Sequence, residues 1–137
     1  MSLLFQRGLY SNIRFWNQSI SAFDSIGDKS GIANLQSNLG AVYFNQGDDA
    51  NALDYYLKSL KIAEEMKDTL RIVTNCINIG AVYFNKKATK NQAQEFYLRA
   101  LPLSEQIKDN DAIGTVTVNL GEIYLEKKQL RFCIILL

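Results

Sequence analysis

Histidine is absent from the 137 residues; proline occurs once, at Pro102, and cysteine twice, at Cys76 and Cys133. Without an imidazole the chain has no histidine general base, phosphate acceptor or metal ligand. The two cysteines form no CxxC pair, so their pattern points to neither a zinc site nor a disulfide framework. Two lone thiols suit a reducing compartment. Neither sign of charge dominates: 15 Lys and Arg stand against 14 Asp and Glu, for a net charge of +1. That balance gives no electrostatic footprint for general nucleic-acid binding. The longest apolar run is Phe132 to Leu137, far short of the roughly 20 residues that span a bilayer. No secretory leader follows Met1-Ser2-Leu3. These absences predict a cytoplasmic chain with no membrane or nucleic-acid partner, no metal, no cofactor and no catalytic residues.

What is present is apolar, regular and repetitive. The chain is 47% hydrophobic and 21% charged, enough to bury a core. The near-absence of proline suits long helices. The segment Asn38-Leu39-Gly40-Ala41-Val42-Tyr43-Phe44-Asn45 returns as Asn78-Ile79-Gly80-Ala81-Val82-Tyr83-Phe84-Asn85, and more loosely as Asn119-Leu120-Gly121-Glu122-Ile123-Tyr124-Leu125-Glu126. The period is 40 and then 41 residues, the extra one falling in the connection Lys86-Lys87-Ala88-Thr89-Lys90. A second block repeats with it. Ala52-Leu53-Asp54-Tyr55-Tyr56-Leu57-Lys58-Ser59-Leu60 matches Ala93-Gln94-Glu95-Phe96-Tyr97-Leu98-Arg99-Ala100-Leu101. At the same offset, Phe15-Trp16-Asn17-Gln18-Ser19-Ile20 lies under Tyr55 to Leu60.

Apolar spacing makes each block a helix. Ile32, Gln36, Leu39, Gly40 and Tyr43 share one face; so do Leu53, Tyr56, Leu57, Leu60 and Ala63. Turn signals separate the blocks at Gly27-Asp28, Gly47-Asp48, Lys67-Asp68 and Lys108-Asp109, each with an aspartate placed to cap the next helix. About seven helices are predicted, at 9–26, 29–46, 49–67, 70–87, 90–108, 110–128 and from 130 onward. Pro102 falls inside one of them, where it lacks a donor for the Leu98 carbonyl, and predicts a kink.

Leu39-Gly40-x-x-Tyr43 followed by Ala52-x-x-x-Tyr56 resembles the tetratricopeptide repeat signature, as do Ile79-Gly80, Tyr83, Ala93 and Tyr97; Leu120-Gly121 and Tyr124 match its first helix alone. The 40-residue period is similar to the long-helix variety found in regulatory and signalling proteins. The resemblance implies an all-α fold, a right-handed solenoid of antiparallel helix pairs. It divides a single domain, 1–137, into the second helix of a partial repeat at 9–28, repeat 1 at 29–68, repeat 2 at 69–109 and a truncated repeat 3 at 110–137. There are departures: the usual tryptophan position holds Gln36, Cys76 and Thr117, and the usual proline position holds Glu64 and Glu105. The apolar end from Phe132 to Leu137 lacks a polar capping helix. It suggests either a fragment of a longer array or a chain whose ends pair with another copy.

The residues divide between packing and binding. Gly40, Gly80 and Gly121 lie on the packed face of their helices, where a missing side chain lets two helices approach. Tyr43, Tyr56, Tyr83 and Tyr97 are expected core aromatics. Cys76 and Cys133 are expected small packed thiols. A polar stripe points away from each core: Asn34, Asn38, Ala41 and Asn45; then Thr74, Asn78, Ala81 and Asn85; then Thr115, Asn119, Glu122 and Glu126. Asparagine is a poor helix former, yet its amide can pair with the NH and C=O of an extended peptide. The resemblance implies that these first helices line a concave surface, where the stripes would hold a protein or peptide partner. The alternative is that Asn38, Asn78 and Asn119 fix the stacking of helices. Phe44, Ile77, Phe84, Val118 and Leu125 flank the stripes as apolar pockets or as packing between units. A second function, self-association as a homodimer, would bury the terminal segments around Leu3-Leu4-Phe5 and Phe132 to Leu137.

Overall fold

A computed structural model describes residues 3–136, with side chains placed for 12–131, 134 and 135. The fold is an all-α helical repeat. Among the described residues there are six α-helices: α1 (Leu3–Ser25), α2 (Lys29–Asn45), α3 (Asp49–Met66), α4 (Thr69–Phe84), α5 (Lys90–Gln106) and α6 (Asn110–Leu136). The chain divides into two compact units, residues 1–67 and 68–137. The first holds α1 to α3 and the second α4 to α6.

From α2 onward each helix starts where an aspartate can satisfy a free backbone donor, with one exception. Asp28 accepts from the Gly31 N–H at 2.9 Å, Asp48 from Asn51 at 3.1 Å, Asp68 from Arg71 at 3.1 Å and Asp109 from Ala112 at 3.0 Å. The exception is α5, where Thr89 makes no cap. Its hydroxyl turns back to donate to the Tyr83 carbonyl at 2.6 Å, and a 3-10 turn over Lys87–Thr89 accommodates the extra residue of that repeat. Gly27 and Gly47 close their turns in the left-handed region, with φ of 71° and 77°. Lys67 and Lys108 take the same conformation at φ 56° and 57° without being glycine.

The segment from 130 onward is a continuation of α6 and does not form a seventh helix. The cause is local. Where repeat 1 has Gln46-Gly47-Asp48, the third unit has Lys127-Lys128-Gln129, which lacks both the turn glycine and the capping aspartate. The predicted boundary therefore has nothing to break it. Pro102 is exposed and α5 runs through it as one helix. A proline there still removes one helical hydrogen bond. Replacing it by alanine restores the donor, and Pro102→Ala is expected to raise stability by about 1 kcal/mol, read as a higher urea midpoint at unchanged slope.

In unit 1 the core is Ala33, Leu39, Ala52, Tyr56, Leu60 and Ala63, shared by α2 and α3. Buried Ser59 ties the pair together by donating to the Ala33 carbonyl at 2.8 Å. In unit 2 the core is Cys76, Ile79, Ala93, Tyr97, Val116 and Ile123 among others. Cys76 is a fully buried thiol, while the Cys133 side chain lies outside the described residues. The helix pairs close on two glycines. A Cβ on Gly40 would stand 2.6 Å from the Tyr56 ring, and one on Gly80 would stand 2.6 Å from Tyr97. Beside each notch a second aromatic pair stacks: Tyr43 on Tyr55 at 5.5 Å and Tyr83 on Phe96 at 6.0 Å between centroids. Gly121 departs from the expected packed role. It is exposed, and nothing lies within 4 Å of an added Cβ. Among the described residues α6 continues past that notch and none turns back to cover it.

Candidate functional site

The polar stripes are surface features of α2, α4 and α6, and their members differ in how free they are. Asn34, Asn38 and Asn45 on α2 are exposed; Ala41 is half-buried among them. On α4, Thr74 and Asn85 are exposed while Asn78 and Ala81 are half-buried. On α6, Thr115 and Glu122 are exposed while Asn119 and Glu126 are half-buried. The threonines are already satisfied by their own helices: Thr74 donates to the Leu70 carbonyl and Thr115 to the Asp111 carbonyl, each at 2.9 Å. Asn119 leans toward the hydroxyl of Tyr97 without making a bond of good geometry. The side-chain amides of Asn38, Asn45, Asn78 and Asn85 make no hydrogen bond with the described residues and retain both donors and acceptors.

Unit 2 gathers two of the stripes. Asn85 at the end of α4 and Glu126 on α6 line one cleft of about 480 Å³, together with Lys87, Lys90, Gln129 and Leu130. Lys90 crosses its floor. It donates to Glu126 at 2.8 Å and stands 4.1 Å above the Phe84 ring, a cation–π geometry. Its side chain is only 16% exposed, so this ion pair is better shielded than one on the open surface. Next to it, Lys127 donates to the Gln94 carbonyl oxygen, and the Gln94 amide donates to the Tyr124 hydroxyl at 3.2 Å. Two lysines against one carboxylate give the cleft a net positive charge, while most of its exposed lining is apolar.

Lys87 and Lys90 are the residues that sequence reasoning left out of the site. The signal for them was the five-residue connection from Lys86 to Lys90, whose added residue carries Lys90 round to face α6. Of the predicted apolar flank, Phe44, Ile77 and Phe84 are half-buried, whereas Val118 and Leu125 are 68% and 64% exposed. Asn75, buried at 1% exposure, was also missed; its amide donates back to the Arg71 carbonyl at 3.0 Å.

Tyr97 is fully buried, and desolvation pushes its phenol up to about 12. Asp48 is held below the usual carboxylate range by hydrogen bonds from the Asn51 side chain and backbone. Both shifts belong to packing and capping, and neither group faces a reactive partner. Among the described residues no group of three His, Cys, Asp or Glu side chains is placed to hold a metal ion. No described helix is long and apolar enough to cross a membrane. No curated protein matches the chain. A family model described as Tetratricopeptide repeat matches residues 33–65, the helix pair formed by α2 and α3.

Proposed function

We infer the function from that match: the chain carries a tetratricopeptide repeat, a unit that serves protein–protein interaction, and it acts as a non-catalytic binding module. Its partner is a protein or peptide segment held by the first helices within a unit, α2 in one and α4 with α6 in the other, in a regulatory or signalling setting in the cytoplasm. The observation that carries this reading is the set of unengaged amides at Asn38, Asn45, Asn78 and Asn85, each on the outward side of a first helix. An extended backbone paired to such amides gains affinity with little dependence on its own side chains. Exposed Lys87 beside Asn85 favours a segment that carries carboxylates.

The test is partner capture with the double variant Asn38→Ala/Asn78→Ala. Both positions are outside the core, so helicity and melting stay unchanged. A peptide array is the source of ligands, and captured peptides are expected to lose at least tenfold in affinity. Capture at parental strength by the folded variant would remove the amides from the site.

A further inference from the structure

Two helices of this chain have a bare face where their equivalents are covered. α2 and α4 each present a glycine notch and a tyrosine, and a second helix lies on both: Tyr56 over Gly40 with Tyr55 on Tyr43, and Tyr97 over Gly80 with Phe96 on Tyr83. α6 presents the same pair, Gly121 and Tyr124, with the notch open and the tyrosine 49% exposed. Val118 and Leu125 border that face at 68% and 64% exposure. At about 100° per residue, Gly121 lies roughly 160° round the helix from Asn119, so this face is separate from the asparagine stripe.

The complementary half is α1. At the repeat offset, Phe15-Trp16 aligns with Tyr55-Tyr56 and with Phe96-Tyr97. It carries the aromatic pair of a second helix, and the described residues supply no first helix for it. Phe15 is 62% exposed. Ser19 aligns with Ser59, whose hydroxyl donates to the Ala33 carbonyl; the position equivalent to Ala33 on α6 is Gly114, also open.

We propose that α1 of one copy docks on α6 of another, with Trp16 over Gly121 and Phe15 stacked on Tyr124, completing a helix pair across the two molecules. The occupant is a second copy of this chain because the fit is already written twice within it: the same glycine, tyrosine and aromatic pair close α2 on α3 and α4 on α5. Such a contact joins unlike faces, so each copy keeps one face of each kind for a further neighbour.

Sedimentation velocity over a dilution series is expected to show mass rising with concentration. Trp16 is the single tryptophan, and its emission should move to longer wavelength on dilution. Gly121→Leu fills the notch in open space without touching the monomer's core. It is expected to weaken association at least tenfold while leaving helicity intact. Trp16→Ala should do the same from the other side. The two variants mixed in equal amounts retain one intact face each, so they should form a heterodimer and nothing larger. A strict monomer at every concentration overturns the proposal. So does assembly that Gly121→Leu and Trp16→Ala leave unchanged, a mixture that stays monomeric, or one that grows beyond the dimer.

Discussion

Tyr97→Ala is expected to lower the stability of unit 2 by about 3–5 kcal/mol, the range for truncating a large buried aromatic. Tyr97 is fully buried and is the largest such side chain in the described residues. Its ring fills the Gly80 notch and meets Phe84 edge-on at 6.3 Å between centroids. Truncation therefore opens a cavity beneath two helices at once, and the rigid helix pair has little room to collapse into it. A loss of this size is a large part of the total stability of an ordinary domain. Urea denaturation followed by circular dichroism measures it; a loss below about 1 kcal/mol would mean that the ring is not the keystone of the pair.

Tyr97→Phe separates the ring from the hydroxyl. That hydroxyl is buried with no hydrogen bond of good geometry, so removing it should be neutral or slightly stabilising. The sign of its pH dependence follows from burial. The phenol is near 12 in the fold and near its ordinary value when unfolded. Its contribution is full below the unfolded value and is lost as pH rises toward 12, because the unfolded chain gives up the proton first. The parent chain should lose stability above pH ~10 more steeply than Tyr97→Phe. Tyr56, raised by burial, and Lys58, raised chiefly by its hydrogen bond to Asp54, shift in the same direction and contribute to the slope in both proteins.

Much of the fold was legible because its signals are local. Asp28, Asp48, Asp68 and Asp109 each sit beside a glycine or lysine turn, and each caps the helix that follows. The repeat placed Gly40 against Tyr56 and Gly80 against Tyr97 because both members of each pair recur in register. The third unit was misread because register was extended past the point where its physical cause persists. Lys127-Lys128-Gln129 has neither the glycine nor the capping aspartate of the other turns, so α6 runs on and Gly121 stays bare. The lysines at 67 and 108 were equally illegible as left-handed caps, since only glycine or asparagine advertises that conformation. In the candidate site, the outward direction of the asparagines followed from helical spacing. Which side chains were already spent did not, because the back-bonding of Thr74 and Thr115 depends on the rotamer each adopts and the lean of Asn119 toward Tyr97 on tertiary detail.

The three repeated glycines provide the sharpest contrast among single substitutions. Helix propensity alone makes Gly→Ala stabilising by about 0.5–1 kcal/mol at every one of them. Packing reverses the sign at two. At Gly40 the new Cβ would lie 2.6, 2.7 and 2.9 Å from three atoms of the Tyr56 ring; at Gly80 it would lie 2.6 to 2.9 Å from Tyr97. Those rings are buried at 3% and 0% exposure and have nowhere to retreat. Overpacking of this kind costs about 1–3 kcal/mol, so Gly40→Ala and Gly80→Ala are expected to destabilise their units despite the gain in propensity. Gly121→Ala meets nothing and should keep the full stabilising increment. Measured at high dilution, where neighbouring copies are apart, the three variants should order as Gly121→Ala above the parent, with Gly40→Ala and Gly80→Ala below it. A common upward shift at all three sites would show that the helices do not close on the glycines. A common downward shift would show that α6 is covered within the single chain.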